Sequence, residues 1–228
     1  LPILVEQAWK VLVRANRIHD IVNEERQSLA GTFSLGILPT IAPYLLPRFF
    51  TRLQREHPEA DIRVMEMKTA DIKRALNRGE LDAAILVSLD DMDHYVQTPL
   101  FYEQFLAYVS RGDALFSHKA IKTSDLNNEF LWLLEEGHCF RDQLVKFCQL
   151  KSADSSKKTY SLGSIETFMR MVEGGQGVTF IPELALEQLS PAQHELVRPF
   201  ALPIPVREVV LLTTRAFVRH SVLNLIAD

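Results

Sequence analysis

The feature that most constrains this chain is a rhythm. From Thr32 onward, short apolar runs of strand length alternate with amphipathic stretches of helix length. Thr32–Ile37, Asp61–Met67 and Leu81–Val87 read as strands, and Pro43–His57 and Ala70–Arg78 as the helices between them. Such alternation predicts parallel strands joined by crossover helices. Gln97–Phe101 and Phe105–Ser110 add strands. The rhythm then restarts with strands at Phe130–Leu134, Thr159–Leu162 and Gly177–Ile181, and helices at Cys139–Leu150 and Ser164–Glu173. A late strand, Glu208–Thr214, and a short helix, Ser221–Ala227, are free to return to the first half. The expectation is an α/β fold of two Rossmann-like lobes around a cleft. Lobe I is 31–107 plus 206–228, and lobe II is 108–205. Ligands of such sheets bind beyond the carboxyl ends of the strands. Here those ends carry the loops Leu38–Thr40, Lys68–Thr69 and Glu135–Cys139.

Residues 1–30 lie outside the rhythm. Leu4, Ala8, Val11, Ala15, Ile18 and Val22 recur at alternating spacings of four and three, a heptad seam widened by Val5, Leu12 and Ile21. Pro2 suits a first turn and Gly31 a stop. An amphipathic helix packed on its own domain would also fit. A seam sustained over about three heptads, with charges on the other faces, favours a partner helix from a second copy. The first residue is Leu1 and not Met, which reads as a piece cut from a longer protein. No secretory signal precedes the helix.

Composition narrows the function. The chain has 228 residues, of which 47% are hydrophobic and 24% charged, with a net charge of −4. A mildly acidic balance argues against gripping nucleic acid through its own phosphate contacts, which need a basic face. No apolar run reaches the roughly 18 residues of a membrane span. Only two cysteines are present, too few for a disulfide scaffold, so the expectation is a cytoplasmic protein with reduced thiols.

Those cysteines, Cys139 and Cys148, stand nine residues apart in G-H-C-F-R-D-Q-L-V-K-F-C. On one helix their Cα atoms lie about 13 Å apart along the axis, on nearly opposite faces. A disulfide needs Cα atoms within about 7 Å. Bonding the pair therefore requires the helix to melt or rebuild. Cys139 begins the helix, where unpaired backbone N–H groups favour a thiolate, and Arg141 adds positive charge. Deprotonation alone gains only about 2 kcal/mol in reactivity. Fast reaction with a peroxide also needs the O–O bond held in line and a proton for the departing hydroxide. His138, Asp142 and nearby hydroxyls could serve. Cys148, between Phe147 and Leu144, reads as buried. Free cysteines are also commonly small core hydrophobes, the simpler account of Cys148 taken alone. The spacing of two cysteines and a histidine does not match a zinc site, and neither metal nor cofactor is expected.

G-H-C-F-R-D-Q…F-C resembles the redox motif of the OxyR peroxide-sensing regulators, a group within the LysR-type transcription factors. G-I-L-P-T-I-A-P-Y-L-L-P at 36–47 is similar to that family's first strand and loop. G-E-L-D-A-A-I-L at 79–86 and S-I-E-T-F-M-R-M-V-E-G-G-Q-G-V-T-F-I-P at 164–182 resemble more general LysR-type stretches. The likeness covers 31–228, and the opening helix matches the linker that dimerises these proteins. It implies a LysR-type effector domain, built like a periplasmic binding protein and preceded by a linker helix. By position it implies that Cys139 is the peroxide-reacting thiol and Cys148 its resolving partner. Thr40 and Thr69 would offer hydroxyls to the peroxide, and His138, Arg141 and Asp142 would wall the sulfur. The partners it implies are a second copy in a homodimer or homotetramer, hydrogen peroxide, promoter DNA and RNA polymerase. The winged helix-turn-helix that would hold promoter DNA is missing from this sequence. One departure stands out. Lys157-Lys158-Thr159-Tyr160 contains no histidine where family members carry one just before S-x-E-T, so that role is not assigned.

Other features carry less. Gly174-Gly175-Gln176-Gly177 closes a helix and opens a strand, the reverse of a phosphate loop, and reads as a C-cap and tight turn, as does Gly79. Glu135-Glu136 and Lys157-Lys158 read as solvated loops. Thr69 would otherwise be a helix N-cap. Ser34 and Ser164 sit in no nucleophile motif. Beside the leading reading stand a non-redox LysR-type domain binding a small organic acid and a thiol enzyme such as a peroxidase or hydrolase. A periplasmic binding protein is the weakest, having no use for a heptad helix. A sensor needs one slowly recycled turnover, and the dimerising helix argues against an enzyme.

Overall fold

The computed structural model of the chain describes residues 2–26, 28–149 and 164–227. The fold is α/β. The chain divides into two compact units: unit 1 is 1–38, 46–100 and 210–228, and unit 2 is 39–45 and 101–209.

In unit 1, β1 (Gly31–Ile37) pairs in parallel with β2 (Ala60–Glu66) over seven residues, and with β3 (Ala83–Val87) from Leu35 opposite Ala83 to Ile37 opposite Ile85. The crossovers are α2 (Ala42–Glu56, whose first turn belongs to unit 2) and α3 (Thr69–Arg78). All five residues of β3 are buried, as the unbroken run A-A-I-L-V requires. Helix α3 buries Ile72, Ala75 and Leu76, its apolar stripe, and ends on Gly79 in the left-handed region at φ 70°. Gly36 is hemmed in by Leu81, Ile72 of α3 and Ala84 of β3; a Cβ there would stand 2.7 Å from Leu81 Cδ1. Lys68, and not Thr69, takes the N-cap position of α3, so the N-cap reading of Thr69 is corrected by one residue.

Helix α1 (Pro2–Glu25) stops six residues before Gly31. The sequence suggested that Gly31 ends it; instead, local polar bonds end it sooner. Asn23 Nδ2 donates to the Ala30 carbonyl at 3.3 Å, and the Ala30 N–H donates to Ser28 Oγ at 3.2 Å. Gly31, at φ 99°, turns the chain into β1. Leu4, Val11, Ile18 and Val22 of the seam are exposed, so these positions are not packed against the described residues of the chain.

Gln97–Phe101 and Phe105–Ser110 are not two strands but one, β4 (Tyr95–Val109). The charged Glu103 interrupts the apolar pattern, but it is buried and paired, so the strand runs through it. Unit 2 also departs from an all-parallel sheet. Here β4 pairs antiparallel with β5 (Val178–Pro182), Phe105 opposite Pro182 and Val109 opposite Val178, and with the short β6 (Val197–Arg198). The strand expected at Phe130–Leu134 reduces to a single parallel bridge from Leu131 to Val178. The Trp132 N–H donates to Val178 and the Val178 N–H to Phe130, both at 2.9 Å, and the following residues leave to enter α4 (Cys139–Cys148). The expected strand Thr159–Leu162 lies outside the described residues.

Helix α5 (Ile165–Glu173) begins at an N-cap whose Ser164 Oγ accepts from the Thr167 N–H. Gly175 and Gly177, at φ 114° and 80°, make the tight turn into β5. Unit 2 packs its core around Phe105, Tyr108, Phe140, Leu144, Phe168 and Phe180. The short α6 (Pro191–His194) precedes β6; β7 (Val206–Thr214) and α7 (His220–Ala227) close the chain.

Candidate functional site

Helix α4 runs unbroken from one cysteine to the other, ten residues in all. Neither thiol is in a disulfide, and both are buried. The helix begins sharply because Gly137 adopts φ 87°, which a side chain would oppose. His138 then takes extended backbone as N-cap, and its carbonyl accepts from the Asp142 N–H at 3.1 Å. Cys139 is the first helical residue, beside first-turn N–H groups with no intrahelical acceptor.

The two sulfurs have different surroundings. Phe140, Leu144 and Cys148 form an i, i+4 stripe within the core of unit 2, whereas Cys139 is buried outside that cluster. Burial pushes the Cys148 thiol up to about 12, so in this state it is neutral and a poor nucleophile.

Around Cys139, His138 is 6% exposed, with Nε2 at 3.7 Å from Glu135 Oε1. Arg141 is mostly covered. Its guanidinium lies 3.9 Å from Glu136 Oε1 and 3.7 Å from Asp142 Oδ1, and the residue lines a cavity with Trp132, Leu144, Ile165 and Phe168. Asp142 is on the exposed side of α4.

Sequence reasoning missed the group that ties this helix to its unit. Arg207, at the start of β7, is 2% exposed. Its Nε donates to Glu103 Oε1 at 2.7 Å, its Nη1 to Thr40 Oγ1 at 3.2 Å and its Nη2 to the Thr40 carbonyl at 3.1 Å. The same guanidinium lies 5.1 Å from the ring centre of Phe140 and 5.7 Å from that of Phe105. Glu103 also accepts from the Leu184 N–H at 3.4 Å. Thr40 is thereby joined, through Arg207, to the residue that follows Cys139. Tyr44 fixes the same 39–45 segment from its other end, donating to Glu166 Oε1 at 2.9 Å. The signal for this group was an acidic residue inside one strand-like run, F-Y-E-Q-F, and an arginine inside another, P-V-R-E-V. Thr69 belongs to unit 1. Its Oγ1 is buried and has no hydrogen-bond partner among the described residues. Cys139, His138, Arg141, Asp142 and Thr40 thus belong to one unit and Thr69 to the other. Among the described residues, no group of His, Cys, Asp and Glu is arranged to hold a metal ion, and no helix is long and apolar enough to cross a membrane.

The fold is that of a LysR-type substrate-binding domain, and residues 26–227 match the family described as LysR substrate binding domain. A hydrogen peroxide-inducible genes activator of Dickeya chrysanthemi is 32% identical over 209 residues, covering 92% of this chain and 68% of that protein. The DNA-binding transcriptional dual regulator OxyR of Escherichia coli is 30% identical over 209 residues, with the same shares of 92% and 68%. Reduced OxyR from Porphyromonas gingivalis superposes with a TM-score of 0.76 at 47% identity, covering 86% of this chain and 92% of that one. The chain belongs to the OxyR group of the LysR family.

Proposed function

We propose that this chain is the regulatory domain of a peroxide-sensing transcription regulator whose sensing pair is Cys139 and Cys148. One observation carries the reading: two buried thiols cap the two ends of a single helix and are too far apart to bond while it persists. The relatives named as peroxide-inducible activators support it.

Peroxide gives one oxygen to the Cys139 thiolate. The O–O bond breaks, Cys139 becomes a sulfenic acid, and the departing hydroxide takes a proton to become water. The Cys148 thiol then attacks that sulfur, the S–O bond breaks, and a second water leaves as the disulfide forms. Thr40 and Thr69 would offer hydroxyls to the peroxide; among the described residues Thr69 Oγ1 is buried with no hydrogen-bond partner, which suits that role. His138 and Arg141 border the sulfur, with Asp142 holding Arg141 from the solvent side. Because Cys148 sits in the core stripe, it reaches Cys139 only after α4 unwinds, and that refolding carries the signal.

The regulator works as a homodimer or homotetramer through the exposed seam of α1, with residues 1–30 as the dimerising segment. It acts in the cytoplasm on promoter DNA through a winged helix-turn-helix outside this chain, with RNA polymerase as a further partner. It is a sensor and not an enzyme. The test is mass spectrometry after treatment with stoichiometric peroxide. A 139–148 bridge is expected, with Cys139→Ser unreactive and Cys148→Ser stopping at an oxidised Cys139. An unmodified Cys139 and no bridge would refute the reading; steady peroxide consumption far above stoichiometry would point to a peroxidase instead.

A further inference from the structure

The geometry points to a clasp where α1 meets unit 1, which fixes the direction in which the exposed seam of α1 leaves that unit. Its first half is Arg219, just before α7. The side chain is 3% exposed and the guanidinium is spread over four acceptors: Nη1 donates to the Thr32 carbonyl at 3.1 Å, Nη2 to Leu29 at 3.4 Å and Ala30 at 3.0 Å, and Nε lies 3.9 Å from Asp20 Oδ1. Asp20 is on α1, the Leu29 and Ala30 carbonyls belong to the turn that follows α1, and the Thr32 carbonyl is in β1. One planar cation thus holds the helix, the turn and the strand at once.

The second half runs the other way. Glu24, in the last turn of α1, accepts from the Ser221 N–H at 3.1 Å and from Ser221 Oγ at 2.6 Å. Ser221 lies in the first turn of α7, where N–H groups lack intrahelical acceptors. A carboxylate from α1 therefore caps α7, with the sign that the α7 dipole favours. Asn23 adds its bond to Ala30, and Gly31, at φ 99°, keeps the turn tight beneath it; a Cβ there would stand 3.6 Å from Asn23 Nδ2 and 3.8 Å from Arg219 Nη1.

A linker helix joined by five loose residues would swing freely, and its seam would meet a partner at any angle. Two charged side chains, Arg219 holding the turn, β1 and Asp20, and Glu24 holding the first turn of α7, convert that junction into a rigid corner. The apolar seam, with Val11 and Ile18 at 65% and 63% exposure, is then presented at one angle set by unit 1. This inference does not depend on the cysteine chemistry.

The test places spin labels at Gln7 and Glu80 through non-cysteine handles, diluted with unlabelled chain so that only distances within one chain are read. The native chain is expected to give one narrow distance distribution. Glu24→Gln keeps the shape but weakens the cap, and Arg219→Lys keeps the charge but loses the planar fork. Each should broaden the distribution, and the Ser221 amide of Glu24→Gln should exchange about tenfold faster. Exchange in β3 and α4 should not change. A broad distribution in the native chain would overturn the clasp, as would a narrow one in both variants. Should Arg219→Lys fail to fold, Glu24→Gln alone decides.

Discussion

Replacing Glu103 by Gln should damage this protein more than any surface change of the same size. Glu103 and Arg207 have side chains 2% and 1% exposed, with Nε to Oε1 at 2.7 Å. Glutamine keeps the volume and one carbonyl acceptor, but it leaves a guanidinium enclosed with only neutral acceptors at Thr40. Breaking one side of a buried ion pair costs about 3–5 kcal/mol, and the retained amide oxygen places Glu103→Gln near 3. Against a total stability of about 5–15 kcal/mol this is a large fraction. At about 2–4 °C per kcal/mol for a chain of this size, the melting temperature should fall by about 10 °C. The assay is a urea titration followed by Trp132 fluorescence, with Trp9→Phe as background so that the signal comes from unit 2. The double variant Glu103→Leu with Arg207→Met removes both charges and should recover most of the loss. A loss below about 1 kcal/mol in Glu103→Gln, or no recovery in the double variant, would refute the view of this pair as a coupled buried brace.

The Cys148 thiol should resist alkylation at pH 8 until denaturant is added, whereas unfolded chain should react at once. Burial raises its folded value from 9.0 to about 12, so the folded state keeps a proton that the unfolded chain releases above pH 9. The stabilisation is complete below pH 9 and is lost as pH climbs towards 12; Cys148→Ala should lose less stability over that interval in denaturant titrations. Gly137→Ala and Gly177→Ala separate backbone strain from steric conflict. Both sites have positive φ, but a Cβ at Gly137 meets nothing within 4 Å, whereas at Gly177 it would stand 2.5 Å from the Phe130 carbonyl. The first should lose about 1–2 kcal/mol and the second clearly more in the same titrations.

Much of unit 1 could be read from the chain because its signals are local. The run A-A-I-L-V, the stripe Ile72, Ala75, Leu76 and the stop at Gly79 each specify an element without reference to distant residues. The continuous helix between the two cysteines was legible for the same reason. What escaped depends on partners far apart in sequence. The merging of two strands into β4 follows from Glu103 meeting Arg207, 104 residues away. The early end of α1 follows from side-chain bonds that heptad spacing does not register. The Arg207 group, which joins Thr40 to α4, is a tertiary fact with only two stray charges as its trace in the sequence.

The stripe Phe140, Leu144, Cys148 has a further consequence. Because the second sulfur belongs to the packed interior, an oxidised chain would hold an emptied seat in its own hydrophobic centre. On the proposed reading, reduction would let the helix re-form by itself, and packing around Leu144 would set how readily it does so. Each 1.4 kcal/mol of added or lost packing would move the thiol–disulfide balance by about 30 mV. Two proteins with identical cysteines could therefore answer different oxidant levels through one aliphatic side chain.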